Sequence, residues 1–197
     1  MNELLFSFYK TAFLSIVRGN HRGVVINAKP LYYITIIDQI GKGEDVTNNK
    51  IPFSETLNEA YLSICKEYQP DIIPTPFFKP YYYSKNEQFY HLKYKKEPPQ
   101  TGPSAKFVRD NIEYAYFDNA LWDLLQEPEV RQQLREAIIR HFFPGHTAAS
   151  VPLMVAEPAS TFGNTTKYHL TTHIEPTKEV ATCMERTTES KTLMTDK

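Results

Sequence analysis

The chain has 197 residues, a hydrophobic fraction of 41% and a formal net charge of −1. That length suits one domain with an extension or two small domains, and that apolar content can pack a core over part of it. Near-zero net charge excludes a global field directed at nucleic acid or at a membrane, so any basic site has to be local.

From the N-terminus, Leu5, Phe8, Ala12 and Ile16 follow helical spacing and stop at the basic loop "RGNHRG". In "KPLYYITIIDQIGKG", Pro30 suits a first helical turn and Gly41 is the expected C-cap. Leu31, Ile34, Ile37 and Ile40 give this segment an apolar face, and further apolar residues around it predict a central helix. "FSETLNEAYLSICKEY" predicts a third helix with Ser54 as N-cap. Leu57, Tyr61, Ile64 and Tyr68 line one face of it, with Cys65 beside them as a core residue rather than a reactive thiol.

Next, "PYYYS" and "QFYHLKY" predict two strands of an aromatic hairpin turning at "KNE". "KKEPPQTGPS" reads as a loop, "SAKFVRDN" as a short helical turn and "IEYAYF" as a short strand. Asp118 is the expected N-cap of "NALWDLLQ". Pro128 opens a last helix whose Val130, Leu134, Ala137, Ile138 and His141 share a face. Pro144-Gly145 marks a boundary. The expectation is an α+β fold over residues 1–143, helices with a small antiparallel sheet, followed by a Thr-rich, irregular tail over 144–197.

Cys65 and Cys183 form no C-x-x-C pair and imply no disulfide framework. A reducing interior is the simpler setting, and the N-terminus lacks the features of a signal peptide. No apolar run reaches the length of a membrane span, so the expectation is a cytoplasmic protein.

Catalytic signatures are weak. There is no Gly-rich phosphate loop and no G-x-S-x-G elbow. His169 and His173 in "HLTTH" stand one helical turn apart, which could serve a metal enzyme, but no Glu or further cysteine completes a site. Asp118 with Asp123, and Glu127 with Glu129, are explained as a cap and a solvated face. No catalytic residue, metal or cofactor is assigned from the sequence.

The concentrated signal is basic residues interleaved with aromatics. Between Phe77 and Arg109, Lys79, Lys85, Lys93, Lys95, Lys96, Lys106 and Arg109 stand against only Glu87 and Glu97. Arg18, His21, Arg22 and Lys29 form a second basic group. Such cations neutralise backbone phosphates, and aromatic faces stack on bases. Composition alone is better met by an aromatic hairpin packed on helices with lysines on its solvated side.

The ordered motifs "NAKPLYYITIIDQI", "KPYYYSKNEQFYHL" and "EYAYFDNALWDLLQEPEVRQQLREAIIRHFF" shift that balance. Their order and spacing resemble the N-terminal DNA-binding module of bacterial HNH restriction endonucleases, the sulphur-binding domain that reads phosphorothioate-modified DNA. The resemblance spans about residues 3–143 and implies the following roles. Lys29 would approach the backbone near the modified phosphate. Pro80 would help form an apolar pocket for sulphur, with Tyr81, Tyr82 and Tyr83 on an aromatic strand beside it. Lys106 would supply a later cation. Ala28 and Lys79 depart from the family, which has His and Tyr at these places. The nuclease residues that follow the module in the family have no counterpart after Phe143.

The expected function is therefore a DNA-binding module of a restriction or modification-sensing system, reading modified or plain duplex without catalysis in this chain. The alternative is a protein-interaction subunit that docks a separately encoded nuclease through its aromatic hairpin.

Overall fold

A computed structural model describes residues 3–21, 23–97 and 102–146. Chain contacts divide the protein into a unit of residues 1–153 and a second of 154–197; every described residue belongs to the first. His169, His173 and Cys183 lie outside the described residues.

Among the described residues there are seven α-helices and two two-stranded antiparallel sheets, an α+β fold. In chain order the elements are α1 (Glu3–Leu14), β1 (Gly19–His21), β2 (Val24–Ile26), α2 (Ala28–Lys42), α3 (Glu55–Tyr68), α4 (Phe78–Tyr83), β3 (Tyr90–Tyr94), α5 (Ala105–Asn111), β4 (Ile112–Phe117), α6 (Asn119–Leu124) and α7 (Pro128–Phe142). No described helix is long and apolar enough to cross a membrane.

The core is built around α2. Leu31, Tyr32, Tyr33, Ile34, Ile36 and Ile37 are all buried, which makes this the central helix its apolar content implies. Thr35, also buried, satisfies its hydroxyl by donating to the Leu31 carbonyl at 2.8 Å. The helix runs past Gly41, the expected cap. It ends at Gly43, whose φ of 69° is the left-handed conformation glycine adopts cheaply and whose N–H donates to the Gln39 carbonyl.

α3 begins as its sequence predicts, with the Ser54 hydroxyl accepting the Leu57 N–H at 3.1 Å. Its buried face is Leu57, Tyr61, Cys65 and Tyr68, so Cys65 takes the core place expected for Ile64, which is half-buried. In α1 the buried residues are Tyr9 and Phe13, one residue round from the expected stripe, and Phe8 is 56% exposed; Ile16, just past the helix, is buried as expected, and Leu5 and Ala12 pack half-buried against the core. In α7, which Pro128 opens, Ile139 and Phe142 join Val130, Leu134 and Ile138 in the core, while His141 is exposed and Ala137 half-buried.

The aromatic hairpin is corrected. "PYYYS" is not a strand: residues Phe78–Tyr83 form α4, in which Pro80 falls in the first turn, where a missing N–H breaks no helical hydrogen bond. β3 pairs instead with β4, in the register Tyr90↔Phe117, His91↔Tyr116, Leu92↔Ala115 and Lys93↔Tyr114. Ile51 adds a bridge to Ala115 on the far side of β4, through bonds of 2.8 and 2.9 Å.

The buried aromatics are joined by a hydroxyl chain. The Tyr90 hydroxyl donates to the Tyr81 carbonyl at 3.1 Å and lies 2.8 Å from the Tyr32 hydroxyl. A phenol carries one proton, so Tyr32 is the donor to Tyr90. Tyr81 in turn donates to the Ile51 carbonyl at 2.9 Å. Burial pushes the pKa of all three phenols up, well above the usual tyrosine value for Tyr32 and Tyr90.

Asp118 occupies the N-cap position of α6 but makes no capping bond with its side chain. Its carboxylate is engaged elsewhere, 2.7 Å from His91 Nε2 and accepting the Tyr9 hydroxyl at 3.3 Å, which ties α1 to β3.

Candidate nucleic-acid interface

Three separate chain segments meet at one pocket of about 250 Å3. The first is the end of the α1–β1 loop with Arg18 and Gly19, closed by Ile26 of β2. The second is the first turn of α2, with Ala28 and Lys29, and the third is α4, with Lys79, Pro80 and Tyr83. Of the ten residues expected to contact DNA, the fold thus brings Arg18, Lys29, Lys79, Pro80 and Tyr83 to one place.

Local sequence explains how each segment gets there. Asn20 turns the β1–β2 hairpin by accepting the Gly23 N–H at 2.9 Å through its side chain, and Gly23 sits at φ 86°, where a side chain would be strained. The segment expected as a basic loop is thus a short hairpin. The Asn20-to-Gly23 spacing was the signal for it. Pro30 and Pro80 each stand in the first turn of their helices, so the residues just before them, Lys29 and Lys79, project from helix starts.

The cations of the pocket differ in their engagement. Lys29 Nζ is 2.5 Å from Glu87 Oε1, and the two side chains are only 12% and 11% exposed. Arg18 donates to Asn27 Oδ1 at 3.1 Å and lies over the Phe142 ring at 5.2 Å from its centroid. Lys79 is exposed and makes no salt bridge among the described residues. Pro80 and Ala28 are buried and supply apolar wall, and Tyr83 is 42% exposed at the rim. Glu87 carries no mark of this role in the sequence. It lies 58 residues from Lys29, and nothing in one sequence marks such a pair.

The remaining expected residues fall elsewhere. Tyr81 is fully buried in the core and cannot face a ligand. Tyr82 is half-buried, packed edge-on to Phe107, with Lys85 Nζ 4.0 Å above its ring and donating to its hydroxyl at 2.7 Å. Burial works against the charge on Lys85, but the bond to Tyr82 and the phenols of Tyr94 and Tyr82 outweigh it and raise its pKa. Lys106 is exposed on α5 and does not line the pocket. His21 lies in β1, paired with Val24, and Arg22 lies outside the described residues.

Among the described residues no group of three or more His, Cys, Asp or Glu side chains is placed to hold a metal ion. In comparisons with known proteins, no family model and no curated protein matches the chain.

Proposed function

We propose that residues 1–143 are a DNA-binding module of a bacterial restriction or modification-sensing system, similar to the phosphorothioate-reading module of HNH restriction endonucleases. The observation that carries this reading is the convergence of Arg18, Lys29, Lys79, Pro80 and Tyr83 on one small pocket with apolar walls and a cationic rim. A duplex backbone laid across the rim meets Lys79 and Arg18, which neutralise phosphates. The phosphate between them turns one non-bridging atom into the pocket against Pro80 and Ala28. Sulphur is larger, softer and less hydrated than oxygen, so an apolar wall costs it less desolvation. Lys79 replaces the family's Tyr with a charge, which strengthens backbone attraction and weakens the apolar selection for sulphur. The proposed module thus binds duplex broadly, with a preference for a modified phosphate set by Pro80 and Ala28.

The test is a titration of duplexes with and without a single phosphorothioate, across salt. The expected result is binding to both at low salt and tighter binding to the modified duplex. Equal affinities would remove the sulphur preference, and binding to neither would remove the DNA reading altogether.

A second reading rests on a different observation. Val24, Val25, Ile72 and Ile73 are 62%, 44%, 50% and 92% exposed around a groove beside the pocket. This apolar surface, rather than the buried Tyr81, is where a separately encoded nuclease subunit would dock. A complex insensitive to salt that protects these residues would favour it.

A further inference from the structure

A second cleft, of about 430 Å3, lies between α2, α3 and α7 and shares no lining residue with the pocket described above. Thr35, Asp38, Gln39 and Lys42 stand at helical i, i+3, i+4 and i+7 positions, so one face of α2 forms its wall. Ala60 and Ile64 of α3 form an apolar side with the Ser63 hydroxyl between them in sequence, and Arg131 and Arg135 of α7 close it. Three cations, Lys42, Arg131 and Arg135, therefore surround it against one carboxylate, Asp38.

Two features mark this cleft as built for a ligand. Both guanidinium groups are fixed in place. Arg131 Nη1 donates to the Leu125 and Gln126 carbonyls at 2.6 and 2.9 Å, and Arg135 Nε donates to Asp38 Oδ1 at 2.7 Å. The second feature is Gln39. It is 3% exposed, and its amide oxygen has no hydrogen-bond partner among the described residues. A buried acceptor left unmade costs free energy, and most such groups in folded proteins have a partner.

We propose that this cleft binds a nucleoside monophosphate. Its phosphate meets Lys42, Arg131 and Arg135, and its base edge reaches the Gln39 amide. A glutamine amide pairs with a base that offers a donor beside an acceptor, as the adenine edge does. The volume falls in the range of small-molecule sites. The cleft is separate from the pocket of the proposed DNA interface.

The experiment is isothermal titration of the full chain with AMP, alongside the thermal midpoint. Variants Gln39→Leu and Lys42→Met probe the cleft, and Lys79→Ala is the control. Gln39→Leu removes the whole amide, whose oxygen has no protein partner among the described residues, and the variant's own melting curve checks that it folds. The account expects one AMP per chain, unchanged in Lys79→Ala, weakened by about tenfold or more in Gln39→Leu, and weakened in Lys42→Met. Three results overturn it: no heat or midpoint shift at roughly millimolar AMP, where water would be the partner of Gln39; AMP binding that Gln39→Leu leaves unchanged; or binding lost in Lys79→Ala, which would place AMP in the DNA pocket.

Discussion

Replacing Glu87 by Gln is expected to move stability and DNA affinity in opposite directions. Glu87 holds Lys29 in a short ion pair with both side chains nearly nine-tenths buried. The substitution leaves the ammonium with a neutral partner. Removing one member of a fully buried pair costs about 3–5 kcal/mol, and the amide oxygen of Gln still accepts a hydrogen bond, so a loss of about 1–3 kcal/mol in unfolding free energy is expected. For DNA the sign reverses. In the wild type the Lys29 charge is matched by a carboxylate that also repels phosphate. Without it, one more phosphate is neutralised, and the slope of log K against log salt should steepen by about 0.9. An affinity gain on the order of tenfold at low salt is expected, equivalent to about 1.4 kcal/mol. Fluorescence anisotropy with a labelled duplex at several salt concentrations, paired with urea unfolding, reads both effects. Weaker DNA binding by Glu87→Gln, or an unchanged salt slope in a folded variant, would refute the expectation that Lys29 approaches the phosphate backbone.

Lys79→Ala is expected to weaken duplex binding similarly for all sequences and to flatten the salt slope by about one unit, with little change in stability because the side chain is exposed. Tyr90→Phe removes the hydroxyl between Tyr32 and the Tyr81 carbonyl, leaving two buried groups unpaired, and is expected to cost about 1–3 kcal/mol by urea unfolding. The buried phenols of Tyr32, Tyr81 and Tyr90 set an alkaline limit. Their folded pKa values lie above the unfolded value, so above a pH of about 10 the unfolded chain loses protons that the folded chain keeps. Their stabilising contribution is fully present below that pH and falls as pH rises beyond it, which a series of unfolding curves between neutral and strongly alkaline pH will show.

Where local chemistry settles the structure, the sequence was legible. Ser54 and Pro128 start their helices as expected, and "SAKFVRDN" passes into the β4 strand at Ile112. Where several local solutions compete, it was not. The α1 segment carries apolar residues at Leu4, Leu5, Phe6, Phe8, Tyr9, Ala12, Phe13 and Leu14, so more than one stripe fits, and packing of Phe13 against Tyr33 and Phe89 selects one. Tyr81 to Tyr83 have strand propensity, but a helical turn carries Tyr81 into the core to bond Ile51, a tertiary gain that outweighs propensity. The partner of β3 lay across the 95–111 segment rather than at the nearest turn. For the site, residue types and order pointed to Lys29, Lys79 and Pro80. The partner of Lys29 was invisible because Glu87 is fixed by the fold and not by spacing.

The most direct measurement is an amide chemical-shift map of the full chain titrated with a short duplex at low salt. The account predicts that the largest shifts fall on Arg18, Gly19, Ala28, Lys29, Lys79 and Tyr83, the residues around the pocket. Shifts confined to other faces, such as α7 or the Val24 and Ile73 groove, or none at all, would contradict it.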